Sequence, residues 1–376
     1  TIVNIGTDEY DGQYTEQFRK FTDDLLAYIQ DNGNTVRLWG SLTARSGSTS
    51  VRSEGVQMNI WNDGWANPKA MYQQGYDLID MNDGSVYIVP AAGYYADYLS
   101  RQSMYNYDPA TRMGVPSGSE QTLGGAYAIW NDMVDQRANG LTEMEIYDRF
   151  NDAAPYYAAA LWGKSGEVSF TTAQQTSENV GEAPGVNAYD KVDSETDEIL
   201  SYDFEDGLSD KSANEYDAEN GKNAEVKDGE LVLKGGESYI STPLDKVGPE
   251  KELSFDITLT QPAEPGQILF EAEKDEDHEA YSTHNIRIME DGTLGFTREG
   301  YDYSFGYKLP VNQKMTLKIR TKNGSTVLIA DGKEYKATGS FTYEGDVKKT
   351  GITSSTLSLP LTRIGSDTNA VHAIID

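Results

Sequence analysis

The spacing of apolar residues changes once along the chain, and that change divides it. In the first part, short apolar runs alternate with stretches of helical period. Ile2, Val3 and Ile5 form a run that stops at Gly6. Tyr14 to Gln30 then carries Phe18, Phe21, Leu25, Leu26 and Ile29 at helical spacing, and Asp31-Asn32-Gly33 closes it. Val36, Leu38 and Trp39 predict the next strand, Met58, Ile60 and Trp61 another, and residues 67–74 a short helix. A further strand comes from Tyr76 to Ile79 or from Val86 to Val89, and the last from Ala126 to Trp130. Thr142-x-x-Glu145 is a capping-box pattern, and it opens a helix that runs past Pro155 towards Trp162.

This alternation of strand and helix is that of a parallel α/β sheet. A complete (β/α)8 barrel needs eight strands and about 250 residues. Residues 1–164 supply about five strand units, so the expected fold is the C-terminal portion of a TIM barrel, without its first three units. Residues 165–197 are rich in Ser, Thr, Gly, Asn and acids with little periodicity, and read as a linker. From 198 to 376 the period falls to two. Segments such as LSYDF, GELVLKG, ELSFDITLT, MTLKIRT and STVLIADG are separated by Asp228-Gly229, Asp291-Gly292, Asn323-Gly324 and Asp331-Gly332. Ten or more such strands predict an antiparallel β-sandwich of jelly-roll type.

Composition narrows the function. Of 376 residues, 38% are hydrophobic and 24% charged, which suits folded domains rather than a disordered chain. Acidic residues number 61 against 31 basic ones, a net charge of −30. Such a surface repels phosphate backbones and anionic lipids, so nucleic acid and membrane surfaces are poor partners. No apolar window is long enough to span a bilayer. Twenty-five Tyr and five Trp against ten Phe favour rings that carry a hydrogen-bonding edge, a mix suited to carbohydrate. With no Cys there is no thiol catalysis, zinc–thiolate site or disulfide. His278, His284 and His372 stand at no metal-ligand spacing, and a surface role is expected of each. The chain opens on a strand signal with no signal peptide, so further chain upstream is expected.

Three places carry candidate chemistry, each just beyond an apolar strand, where barrel enzymes keep their active sites. Asp8-Glu9 follows Gly6-Thr7; two adjacent carboxylates repel, so one should hold its proton more tightly, as a general acid must. Tyr94, Tyr95 and Asp97 follow YIVPA, and Trp130-Asn131-Asp132 follows LGGAYAI. Trp39 and Trp61 also end strands, and three tryptophans on neighbouring strands would line the mouth of one pocket. The bland alternatives are a solvated acidic turn, tyrosines packed in a loop, and a core Trp followed by a capping Asp.

Taken in order, these motifs resemble family 20 glycoside hydrolases, the β-N-acetylhexosaminidase and lacto-N-biosidase family. The family's H-x-G-G-D-E corresponds to Asn4-Ile5-Gly6-Thr7-Asp8-Glu9, with Asn for His and Thr for the second Gly. Its Tyr-x-Asp matches Tyr95-Ala96-Asp97, and its final Trp-x-Glu appears as Trp130-Asn131-Asp132 after Leu123-Gly124-Gly125. The resemblance implies a retaining, substrate-assisted mechanism without metal or organic cofactor. It makes Glu9 the general acid–base and Asp8 the partner of the substrate's acetamido N–H. Tyr95, with Tyr94 as near-equal candidate, would bond the acetamido carbonyl. Trp39, Trp61 and Trp130 would wall the pocket, and Asp97 and Asp132 would bind sugar hydroxyls. Asp132 is one methylene shorter than the family's Glu, as in lacto-N-biosidases, which release a disaccharide. The family's substrate-gripping Arg lies on the first barrel strand, so this chain alone is expected to be inactive. Extracellular or cell-surface localisation follows from such a substrate. The later region resembles laminin-G-like or concanavalin-like domains, with glycan binding as one expected role. For Asp275-Glu276-Asp277 a solvated loop is expected rather than a calcium site.

Overall fold

The computed structural model of the chain describes residues 1–90, 92–132, 141, 143–163, 166–181, 185, 187, 189–273, 283–298, 301–322, 324–343, 347–352 and 355–376. Contacts divide the chain into two compact units, one of residues 1–90, 94–131 and 149–181, the other of 91–93, 132–148 and 182–376.

The first unit contains strands β1 (Ile2–Asn4), β2 (Thr35–Trp39), β3 (Val56–Ile60), β4 (Asp77–Asp80), β5 (Tyr87–Ile88), β6 (Thr122–Gly125) and β7 (Ala128–Ile129) among its described residues. Five of them make one parallel sheet in the order β1-β2-β3-β4-β6. Because the sheet is parallel, the C-terminal ends of all five strands lie along one edge. Helix α1 (Thr15–Asp31) buries Phe18, Thr22, Leu26 and Ile29, spaced by about one helical turn each. Gly33, at φ 75°, ends it by donating its N–H to Gln30 O at 2.9 Å. Within β2, Val36 and Leu38 point inward and Arg37 and Trp39 lie half-buried, the alternation that the sequence displays.

Three expectations change here. Both segments offered for the fourth strand contain a strand, but only β4 joins the main sheet; β5, which follows a short helix ending at Val86, pairs with β7 in a separate parallel ribbon. The last sheet strand is β6, earlier than the 126–130 run. Its Thr-Leu-Gly-Gly sequence hides it, and two glycines explain its path. Gly124 adopts φ 132°, and at Gly125 a Cβ would stand 2.1 Å from the Tyr157 hydroxyl. Farther on, helix Phe170–Val180 occupies part of the stretch read as a linker. Its start is set by the Ser169 side chain, which accepts from Thr172 N–H at 3.1 Å.

The second unit is antiparallel. Fourteen strands among the described residues form one continuous hydrogen-bonded sheet. Its axis is the long strand Arg363–Ile375, which pairs with Glu230–Ser241, Glu252–Leu259 and Ile268–Glu271. Asp228-Gly229 and Asp331-Gly332 form two-residue hairpins, both residues of each having positive φ, as the twist of paired strands requires. Residues 200–204 are not a strand; the chain turns there, with Phe204 at φ 53° and its ring buried.

His284 does not have the expected surface role. It is 1% exposed, and its Nε2 lies 2.7 Å from Glu145 Oε1, itself fully buried. The Ser358 N–H donates to His284 Nδ1 at 3.1 Å, so the ring proton sits on Nε2 and points at the carboxylate. Thr142 of the capping pattern, Asn323, His278 and residues 275–277 lie outside the described residues.

Candidate active site

The loop after β1 carries the carboxylate pair. Backbone pairing with β2 continues past the strand: Ile5 N–H donates to Arg37 O at 2.9 Å and Trp39 N–H to Gly6 O at 2.8 Å. The chain then turns through two successive left-handed residues, Gly6 at φ 72° and Thr7 at φ 74°. Asn4 Oδ1 accepts the Gly6 N–H at 2.9 Å, and the buried Ser41 hydroxyl donates to Thr7 O at 2.8 Å. This tethered turn presents Asp8 and Glu9 to solvent. Together with Ile5, Tyr10, Gln17 and Phe18 they line an open concavity of about 530 Å³.

An aromatic row runs across the loops of the same unit. The Trp39 and Trp130 ring centroids are 5.9 Å apart, Trp130 and Tyr87 5.6 Å, Tyr87 and Tyr95 5.6 Å, and Tyr95 and Tyr94 5.5 Å. The β5–β7 ribbon builds this row, since Trp130 N–H donates to Ile88 O at 2.9 Å and so stands beside Tyr87. Trp130, Tyr94 and Tyr95 remain 40%, 49% and 36% exposed, leaving ring surface for a ligand. Tyr87 is buried. Burial pushes its hydroxyl above the usual phenol range, and Asp83, Tyr95, Asp8 and Glu9 push it further. Trp39, at the end of the row, is joined through its backbone N–H to Gly6 O, so the row starts beside the turn that carries the carboxylate pair.

The other expected residues are placed differently. Trp61 is buried behind the row, donates its indole N–H to Gly40 O at 2.8 Å, and packs against Trp65 at 5.7 Å. It belongs to one apolar cluster with Tyr87, Ile79 and Met81, against which Trp39 packs. Asp97 Oδ1 is held by Arg149 Nη2 at 2.8 Å, and that fully buried guanidinium also lies 4.7 Å over the Tyr98 ring. Asp132 is exposed in a turn and is grouped with the second compact unit.

Two features escaped the sequence reading. Asp80, the buried last residue of β4, pairs with Arg112 Nη2 at 2.7 Å and accepts from Tyr107 at 2.9 Å. Burial raises its carboxyl above the usual range despite the opposing Arg112. It is a structural ion pair below the loops. Asp83, three residues on, accepts from both Tyr95 and Asn62. Nothing distinguished it from the other acids of an acidic chain, although its place just past a strand end was a usable signal. Among the described residues no group of three or more His, Asp or Glu side chains is arranged to hold a metal ion.

Residues 4–162 match the model of the glycosyl hydrolase family 20 catalytic domain. No curated protein matches the chain. Among solved structures it is similar to a β-N-acetylhexosaminidase from Bacteroides fragilis, at 18% identity over 50% of this chain and 44% of that one, with a TM-score of 0.37. It is also similar to the pneumococcal exo-β-D-N-acetylglucosaminidase StrH, at 19% identity over 42% and 44%, with a TM-score of 0.31. A third similarity is to domain 4 of AbnA, a GH43 extracellular arabinanase from Geobacillus stearothermophilus, at 20% identity over 46% and 85%, with a TM-score of 0.32. The chain spans 44% of the length of each of the first two. The matched segment contains Asp8, Glu9 and the whole aromatic row.

Proposed function

We propose that the site belongs to a retaining glycosidase that cleaves β-linked N-acetylhexosamine from glycans through the substrate's own 2-acetamido group. The observation that carries this reading is the exposed Asp8-Glu9 pair on a turn whose Gly6 carbonyl is bonded by Trp39 N–H, Trp39 in turn packing on half-exposed Trp130. In the first step the acetamido oxygen attacks the anomeric carbon, and the bond to the leaving oxygen breaks. Glu9 gives that oxygen its proton. Asp8 holds the acetamido N–H and offsets the positive charge of the oxazolinium ring. Tyr95 donates to the acetamido oxygen, and Trp39 and Trp130 flank the group. In the second step Glu9 takes a proton from water, which adds to the anomeric carbon and reopens the ring with net retention.

The finer proposal is lacto-N-biosidase-like release of a disaccharide. Its support is Asp132, one methylene shorter than the Glu of exo-acting relatives, a difference worth only about 1–3 kcal/mol of discrimination. The second unit is proposed as a lectin-like jelly roll that holds glycan, and the site of action as extracellular or at the cell surface. With five strands in the main parallel sheet among the described residues, where a barrel has eight, this chain alone is expected to be inactive. The assay therefore uses the longest natural form that carries it.

In that protein Glu9→Gln should lower kcat/KM for alkyl glycosides by about 10²–10⁴-fold, yet largely spare formation of the intermediate from activated aryl glycosides. Asp8→Asn should impair both. The reverse pattern would exchange the two roles. Activity unchanged by either substitution would leave a carbohydrate-binding protein with a relic site. Release of GlcNAc, with the galactosyl-β-1,3-GlcNAc aryl glycoside untouched, would replace the biosidase reading with an exo-hexosaminidase.

A further inference from the structure

Asp83 stands where three loops meet. Its Oδ2 accepts from the Tyr95 hydroxyl at 3.0 Å and from Asn62 Nδ2 at 2.9 Å. Its Oδ1 accepts from the Gly84 N–H at 2.8 Å, and its own N–H donates to Trp61 O at 2.7 Å. Asn62 is itself oriented: its Oδ1 accepts the Gly64 N–H at 2.9 Å, which leaves the amide nitrogen facing Asp83. One carboxylate, fixed at both oxygens, thus ties the loop after β5 to the loops after β3 and β4.

We propose that Asp83 is the positioning residue for Tyr95, an inference that rests on the role given to Tyr95 above. Tyr95 is 36% exposed on a loop; its ring packs against Tyr87 and Tyr94, and its hydroxyl is oriented by Asp83. The bond to Asp83 fixes Oη, while the hydroxyl hydrogen can still rotate about the Cζ–Oη bond. A phenol has one proton to donate. In the structure it points at Asp83 Oδ2. When a substrate carbonyl approaches, that proton turns to the carbonyl and the bond to Asp83 is given up. Asp83 therefore sets the position of the phenol before substrate arrives, so that the acetamido oxygen meets a hydroxyl already in place, and it touches no reacting atom.

The test is a double-mutant cycle in the active protein, read as kcat/KM on an aryl N-acetylglucosaminide. Asp83→Ala should cost up to about 100-fold, the scale of a misplaced catalytic contact. Asp83→Asn keeps an oxygen acceptor for Tyr95 and should restore most of that loss. In a Tyr95→Phe background, Asp83→Ala should cost nothing further. Additive losses would overturn the positioning role and leave Tyr95 as a substrate contact. If Tyr95→Phe alone has no effect, both the role of Tyr95 and the inference fall. Should Asp83→Ala not fold, the 13Cζ resonance of Tyr95 supplies the second measurement. It should move on Asp83→Asn and again when an oxazoline analogue binds, and a resonance unmoved by Asp83→Asn overturns the proposal.

Discussion

Thr7 offers a direct test of how the carboxylate pair is presented. It is a β-branched residue at φ 74°, immediately after Gly6 at φ 72°. The left-handed region costs an L-residue about 1–2 kcal/mol, and the branch at Cβ makes Thr a poor occupant. The related motif has glycine at both positions. Replacing Thr7 by Gly removes the strain but frees the unfolded chain, which costs about 0.5–1 kcal/mol. It also removes the hydroxyl that donates to Gly6 O, a half-buried bond that water partly replaces. These terms leave Thr7→Gly neutral to about 1 kcal/mol more stable. Thr7→Val keeps the strain and loses the hydroxyl, so it should cost about 0.5–1.5 kcal/mol. The Gly variant should therefore exceed the Val variant by about 1–2 kcal/mol. All five tryptophans, at 39, 61, 65, 130 and 162, lie in the first compact unit. Intrinsic fluorescence in urea thus reports that unit separately, which matters because two units need not unfold together. If Thr7→Val matches or exceeds Thr7→Gly, the turn is not strained in the way argued, and the aim of Asp8-Glu9 must come from the tether at Ser41.

Three further outcomes follow from the packing. Gly125→Ala places Cβ 2.1 Å from the Tyr157 hydroxyl and should cost about 1–3 kcal/mol. Tyr157→Phe alone should cost little, because that hydroxyl is buried without a hydrogen-bond partner among the described residues, and in combination it should recover part of the Gly125→Ala loss in the same fluorescence assay. Glu16, whose carboxylate accepts from Ser48 and Thr49 N–H groups, is held down to about 2, its largest cause being the Thr49 hydroxyl. A depressed carboxyl stabilises the fold above its unfolded value of about 4.5 and loses that effect as pH falls towards about 2, so the stability gap between wild type and Glu16→Gln should close over that window in acid titrations. His284→Ala removes the donor that stands 2.7 Å from the buried Glu145 carboxylate and should cost the second unit about 3–5 kcal/mol by circular dichroism melts, with His284→Gln recovering part of it.

What the sequence discloses is governed by the range of the interactions. β2, β3 and α1 bury apolar residues at their own period (Val36 and Leu38; Val56, Met58 and Ile60; Phe18, Leu26 and Ile29), so that period is written locally and was legible. The hairpins at Asp228-Gly229 and Asp331-Gly332 were legible for a related reason: two positive φ values in succession nearly demand those residues. β6 has no apolar period. It is extended because β4 lies beside it and because Gly125 lets Tyr157 approach, a partner thirty-two positions away. Likewise His284 meets Glu145 from a separation of 139 residues, so its composition-based reading as a surface histidine had no local signal to correct it.

The candidate site shows the same division within a few residues. Asp8 and Glu9 stood out because a strand, a turn and two acids occur in one short segment. Asp83 did not, since Met81-Asn82-Asp83-Gly84 reads as one more acidic turn. Its meaning arises only when the loops after β3, β4 and β5 converge and give it Asn62 and Tyr95. Residues that meet a substrate directly can be marked by their place after a strand. Residues that hold those in place are marked by their partners, and in a parallel sheet the partners come from neighbouring loops, here 21 residues before Asp83 and 12 after it. A parallel sheet keeps those loops along one edge, so a search for supporting groups should begin with the polar residues one to three positions past each strand end.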